Sequence, residues 1–346
     1  MDINIINRII DSLNVEETDD SMPYFSDKSY KPFKINKNNF HKIEKISLNK
    51  KIAFIDGGNT EIIKSASFSL QLIRVFYVIY KDNKKIDSKK YEIYVLVNVI
   101  KKDDKLSYET EIFNNKINLN KEDLRFDLYD ESLKQGIHKI KIKRIGETVR
   151  KFAELKTAEL LIDKLDDGDI IVRDGSLQSS ITNENKYFNN LYKKALEKNI
   201  IITGLSKTST LLTDKGNAIT ALLNMISPEG CWYYYPIVNI NNINHKAEMF
   251  FIKLNEKSKH IFRFEVYKEQ KFNIKEILGL LIKNANDPVF VGYPYGLIEA
   301  DKFARISNDE KEYLKTILIS KIGKNLNKLN KHTATINAHE ILDKIT

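Results

Sequence analysis

Residues 49–60 read NKKIAFIDGGNT, and the fold turns on how this stretch is understood. Lys51 to Ile55 form an apolar run, rich in β-branched and aromatic side chains, of the kind that fills a buried strand. The run enters Asp56, Gly57 and Gly58. An Asp-Gly pair by itself is a turn signal, so the strand is expected to end at Asp56. Paired glycines also clear space for a ligand or a neighbouring backbone. A second stretch repeats the pattern: GDIIVRDGSL (168–177) carries a strand over 170–173 into Asp174 and Gly175. If both are central strands of one sheet, their carboxylates converge at one edge. Carboxylates brought together repel unless a proton or cation lies between them. Oxygen-rich sites of this kind suit Mg²⁺ or Mn²⁺.

The chain has 346 residues, enough for one large or two moderate domains. Charged residues make up 30% and hydrophobic ones 42%, a globular balance. The net charge of +9 points to a polyanionic partner without separating DNA, RNA and membrane. A single cysteine, Cys231, excludes an internal disulfide and any cysteine-cluster metal site. The start, MDINIINRIIDSLN, reads as a short amphipathic helix and not as a signal peptide. No apolar run reaches membrane-spanning length. The expected location is cytoplasmic.

Periodicity orders the rest. Residues 15–40 are polar and are expected to form an irregular arm. Stretches 65–82 and 90–103 read as two long strands joined by the polar NKKIDSK. Residues 107–138 are charged and less regular. GETVRKFAELKTAELLIDKLDDGD (146–169) is the clearest helix, with a mostly apolar face through Val149, Phe152, Ala153, Lys156, Leu160, Leu161 and Leu165. A helix over 185–199 and a strand opening 200–209 follow strand 170–173, an α/β pattern with some parallel pairing. Strands are expected at 231–238, 247–254 and 260–267, and a helix at 273–286. Residues 288–307 read as strand, turn and helix, and 308–323 as a helix. The long helix carries Glu147, Glu154 and Glu159. Glu154 lies nearest its apolar face and is the best placed to join the two aspartates, with Glu147 the competitor.

These elements, in this order, resemble the NurA nucleases, archaeal and bacterial enzymes that process DNA ends. The resemblance covers roughly residues 45–345. It rests on strand-Asp-Gly at Asp56, the helix glutamate at Glu154, DGSL at Asp174 to Leu177, and GLSK at Lys207. GYPYGLIEADKFARIS and the terminal NAHEILD with His339 complete it. One departure is Gly58, where the family usually carries serine or another small residue. The resemblance implies an α/β, RNase H-like mixed sheet flanked by helices. It is expected as one elaborated domain over 45–346, preceded by a helix and arm over 1–44. It implies hydrolysis of DNA by 5′-to-3′ exonuclease and single-strand endonuclease action in double-strand-break resection. It further implies a homodimer, a HerA-type hexameric ATPase as partner, and a functional link to the Mre11–Rad50 complex.

The expected site follows from that chemistry. Phosphodiester hydrolysis needs an activated water and a means to offset charge on the phosphate, which a pair of carboxylate-held cations supplies. Asp56, Asp174 and Glu154 are the expected ligands. His339 is a further ligand or proton shuttle, which favours Mn²⁺ over Mg²⁺. Lys207 is expected at a DNA phosphate. Asp301 is either an outer metal ligand or an anchor for Arg305, four residues on along one helix face. Tyr293 and Tyr295 are candidates for base stacking or plain packing. Three other readings compete: a non-catalytic nucleic-acid-binding module, an RNase H-like nuclease acting on RNA, and a carboxylate-metal phosphatase. The first leaves the two strand-borne aspartates unexplained, and the last does not fit the basic balance.

Overall fold

The computed structural model describes residues 2–12, 21–102 and 104–322. Its strands are β1 (Tyr30–Pro32), β2 (Phe40–Lys42), β3 (Lys51–Lys64), β4 (Phe68–Lys81), β5 (Lys84–Lys102), β6 (Lys105–Phe113) and β7 (Phe126–Asp127). They continue with β8 (Ile170–Asp174), β9 (Ile201–Ser206), β10 (Trp232–Tyr234), β11 (Val238–Ile240), β12 (Ala247–Lys253) and β13 (Phe262–Tyr267). The helices are α1 (Ile3–Ser12), α2 (Lys143–Leu161), α3 (Glu184–Glu197), α4 (Ile219–Ile226), α5 (Ile274–Asn284), α6 (Tyr295–Ala304) and α7 (Asn308–Ile322). Among the described residues, no helix is long and apolar enough to cross a membrane. The chain forms two compact units whose segments alternate in sequence: Met1–Leu48, Asp174–Gln178 and Ile201–Tyr295 make one, and Asn49–Arg173, Ser179–Ile200 and Gly296–Thr346 the other.

In the second unit the strand order is β8-β3-β4-β5-β6-β7. β8 runs parallel to β3, and the remaining pairs are antiparallel. β4 is buried along nearly its whole length, which explains its near-continuous apolar run, FSLQLIRVFYVIYK. In β5, burial alternates at Ile93, Val95 and Val97, the period of a strand with one covered face. NKKIDSK is not a connecting loop: most of it is β5. The turn is the two-residue Asp82-Asn83, both with positive φ (48° and 59°), which short polar side chains tolerate and which matches the twist of a hairpin. α2 packs on β3 and β4, and α3 packs on α2. At the far end of β3, Ile62, Ile63 and Leu72 form a cluster covered by Ile306, Leu314 and Leu318.

In the first unit the order is β2-β10-β12-β13-β9, all antiparallel, with β1 and β11 forming a separate pair. The polar stretch after residue 20 thus contributes two short strands. Its core joins Tyr30 and Ile35 to Trp232, Tyr234, Met249 and Phe251, with Ile219, Leu222 and Leu223 of α4 packed on them. α4 lies in a stretch whose periodicity drew no helix from the sequence. The expected strand at the start of residues 288–307 is not formed: residues 288–293 are bends and turns leading into α6.

Candidate metal centre

The sequence places a turn at Asp56, and the structure corrects this. β3 continues for eight residues past Asp56, paired with β4 through Asp56↔Phe76, Gly57↔Val75 and Gly58↔Arg74. What ends is the parallel pairing with β8, whose last register partners are Ile55 and Arg173. The next residues of the two strands are Asp56 and Asp174. Asp56 is buried, Asp174 half-buried and Asp301, on α6, exposed. One carboxylate oxygen from each of the three lies within 4.8 Å of the others. Three carboxylates this close repel one another, and an all-oxygen donor set of this kind fits a hard divalent cation. Asp301, which sequence reasoning left between two roles, completes the group.

The two glycines serve close approach and not a turn; neither has positive φ. A β-carbon on Gly57 would lie 2.5 Å from Glu154 Oε1, and one on Gly58 would overlap the Ala304 carbonyl oxygen. Gly57 therefore admits α2, and Gly58 admits the end of α6.

Glu154 is buried on α2 and is held by two guanidiniums. Arg150, one turn earlier, bonds to its Oε1, and Arg173 of β8 stands 3.4 Å from its Oε2. The same Arg150 Nη1 donates to the Gly57 carbonyl at 3.0 Å. Glu154 thus sits beside the residue after Asp56, outside the three-carboxylate group. Glu147 is half-buried and pairs with Lys143 at 3.5 Å in the first turn of α2. Neither arginine was singled out from sequence, although the four-residue Arg150–Glu154 spacing is a helical ion-pair signal.

Lys207, just after β9, brings its Nζ to 2.8 Å from Asp174 Oδ2 and 5.7 Å from the Tyr293 ring centre. The Tyr293 ring is buried against Phe262 and Phe290, with centroids at 5.2 and 5.0 Å. Tyr295 is exposed at the start of α6. Arg305 has an exposed side chain, and its backbone N–H donates to the Asp301 carbonyl at 2.9 Å. His339 lies outside the described residues.

The segment after Asp174 is stitched down within the first unit. Gly175 N–H donates to the Leu205 carbonyl at 2.9 Å, and Leu177 N–H to Glu265 Oε2 at 2.7 Å. Glu265 is fully buried on β13. Arg263 Nε lies 3.0 Å from its Oε1, and His245 Nε2 lies 3.1 Å from its Oε2. Both contacts are at ion-pair distance but off hydrogen-bond direction. His245 Nδ1 in turn meets the Tyr30 hydroxyl at 3.0 Å. Burial alone would push the Glu265 carboxyl up; Arg263, then His245 and the Leu177 N–H, outweigh it and hold it at about 2. A folded value below the unfolded one stabilises the protein above the unfolded value, and that contribution is lost as pH falls toward the folded one. The melting-temperature deficit of Glu265→Gln should therefore be widest above about pH 4.5 and narrow toward pH 2. Thermal melts across that window check it; a deficit that stays constant with pH would contradict this account.

Residues 50–306 match the sequence pattern of the NurA domain, well over half of the chain. The chain belongs to the NurA domain family. Its structure is similar to that of the NurA nuclease from Sulfolobus solfataricus, at 18% identity and a TM-score of 0.55, covering 93% of this chain and 96% of that one. The shared fold of this NurA-family protein is the RNase H-like mixed sheet flanked by helices. The catalytic domain of human Endonuclease V aligns at 9% identity and a TM-score of 0.39, over 78% of this chain and 84% of that one. Argonaute from A. aeolicus aligns at 10% identity and a TM-score of 0.36, over 76% of this chain and 30% of that one. At such TM-scores neither bears on the assignment. No curated protein sequence matches the chain. NurA-domain membership together with the carboxylate group makes this a metal-dependent nuclease.

Proposed function

We propose that this NurA-family protein hydrolyses DNA phosphodiester bonds, as a 5′-to-3′ exonuclease and a single-strand endonuclease, in the resection of double-strand breaks. The observation that carries the reading is the carboxylate group of Asp56, Asp174 and Asp301 within the NurA match. Mn²⁺ is the proposed metal, as two ions, with Mg²⁺ as the substitute. Bound divalent cations supply an activated water and offset charge on the scissile phosphate. Asp56 and Asp174 hold the cations from neighbouring strands, and Asp301 closes the set from α6. Glu154 adds a carboxylate from α2, beside Gly57, which follows Asp56 in sequence. His339 is assigned a ligand or proton-transfer role. Lys207, paired with Asp174 at 2.8 Å, is assigned to a DNA phosphate once cations take over that carboxylate. Arg305 and Tyr295 are assigned to the DNA strand, and Tyr293 to the wall behind Lys207.

A net charge of +9 supports a nucleic-acid substrate over a small phosphate ester. Residues 45–346 are assigned to the nuclease domain, with 1–44 as its N-terminal helix and arm. The family match supports a homodimer that works with a HerA-type hexameric ATPase alongside Mre11–Rad50. α1 exposes Ile3, Ile5, Ile6 and Ile9, a surface suited to protein contact. The deciding experiment incubates the protein with 5′-labelled single-stranded DNA, duplex DNA and RNA, with Mn²⁺, Mg²⁺ or chelator. The expected result is Mn²⁺-dependent shortening of DNA. Binding without cleavage in any metal, or cleavage confined to RNA, would overturn it.

A further inference from the structure

α6 carries Asp301 but belongs to no strand, so something must set its position. Three features pin it to β3, β4 and β5. At its start, a β-carbon on Gly296 would overlap the Phe54 ring, so the helix backbone lies directly on β3. At its end, the Ala304 carbonyl fills the space left by Gly58. Between them, Glu299 is engaged by side chains of β4 and β5. Its Oε2 accepts from the Tyr80 hydroxyl at 2.6 Å, and its Oε1 accepts from Lys85 Nζ at 2.6 Å. Glu299 is buried, whereas Lys85 is 42% exposed. Lys85 also lies 5.8 Å from the ring centres of Phe76 and Phe303, which confines it between β4 and α6.

The backbone contacts fix the height of the helix above the strands. They do not fix its rotation or its slide along them. A buried carboxylate held by two donors from two different strands does, because each bond loses strength steeply off its direction. Asp301 is two residues on from Glu299 in the same helix, so a turn or slide at Glu299 is passed to the carboxylate at Asp301. Simple burial gives no reason for a carboxylate at position 299, since an apolar side chain of similar volume would pack there without the desolvation penalty.

We propose that Glu299, clasped by Tyr80 and Lys85, is the positioning residue that aims Asp301 at the divalent cation. The proposal rests on Asp301 being a ligand, as assigned above. Groups that orient metal ligands through hydrogen bonds typically contribute 10–100-fold in metal affinity.

The test is direct Mn²⁺ binding to the full-length protein without DNA, read by the paramagnetic resonance signal of free Mn²⁺. Variants are Asp301→Asn, Glu299→Gln, Lys85→Met and the Glu299→Gln/Lys85→Met double variant. Lys85 is half in solvent, and the melting temperature of each variant is read beside its Mn²⁺ affinity, so that a folding defect is told from a binding defect. Asp301→Asn is expected to weaken binding most. Lys85→Met and Glu299→Gln are each expected to weaken it about tenfold. The double variant is expected to fall short of the product of the two single effects, because both remove one clasp. A merely structural clasp would lower the melting temperature of the single variants and leave Mn²⁺ affinity unchanged, which would overturn the proposal. If Asp301→Asn also binds Mn²⁺ as well as the unaltered protein, it is the ligand assignment that fails. If Asp301→Asn loses affinity while Lys85→Met does not, only the clasp is refuted.

Discussion

Asp56→Asn is expected to abolish cleavage while the metal-free protein melts at a higher temperature than the unaltered one. Both effects have the same source. Asp56 contributes one of three carboxylates whose oxygens lie within 4.8 Å, and Lys207, 2.8 Å from Asp174, offsets only part of their mutual repulsion when no cation is present. Asparagine removes that repulsion, and its side-chain oxygen can still accept the Gly57 N–H that Asp56 Oδ1 accepts at 2.7 Å. The same change removes a carboxylate assigned above as a ligand, and the loss of rate should reach about a thousandfold, equivalent to roughly 4 kcal/mol of barrier. DNA binding in the absence of metal should be retained. Paired measurements of melting temperature and Mn²⁺-dependent cleavage test this. Substantial activity in a folded D56N protein would remove Asp56 from the metal site. A large drop in melting temperature would mean that Asp56 holds the strand and not the cation.

The second large effect concerns α2. Glu154→Gln is expected to lower stability by roughly 3 kcal/mol and to raise the Mn²⁺ needed for half-maximal activity. The stability loss follows from Arg173, whose side chain is almost fully buried with its guanidinium 5.5 Å from the Phe188 ring. A neutral partner there leaves part of that charge uncompensated. Glu147→Gln should change stability by no more than about 0.5 kcal/mol, because the pair with Lys143 is half in solvent. Its Mn²⁺ requirement should not move. Denaturant titrations and metal titrations on the two variants separate the roles. If Glu154→Gln destabilises without altering the metal requirement, Glu154 is an anchor for the arginines and its ligand role is refuted.

What the sequence disclosed and what it hid divide along a physical line. The two strand-borne aspartates were legible because an apolar run interrupted by a carboxylate is locally anomalous, and the anomaly occurs twice. α2 was legible because nineteen residues repeat one apolar stripe. The continuation of β3 beyond Asp56 was not legible. A glycine pair signals a turn when read alone, and only the β4 partner across from it and the α2 and α6 backbones against it show that the missing side chains make room. The Asp82-Asn83 turn was hidden for the converse reason: its flanks are polar because β5 begins in solvent, not because it is a loop. Asp301 stayed between two roles because no local pattern tells that a helix 127 residues beyond Asp174 returns to the same place. Glu299, Tyr80 and Lys85 are unremarkable in sequence and meet only through tertiary packing.

The alternation of segments between the two units has a consequence for the time order of synthesis. The carboxylates are made in the order Asp56, Asp174, Asp301, and the 127 residues from Asp174 to Asp301 take on the order of ten seconds to emerge at usual elongation rates. Until α6 leaves the ribosome, the nascent chain holds two of the three acidic groups and lacks the helix that fills the gap at Gly58. Premature termination anywhere before Gly296 therefore releases a polypeptide that lacks the third carboxylate of the group. On the ligand assignment proposed above, a chain that ends before α6 is expected to lack metal-dependent cleavage.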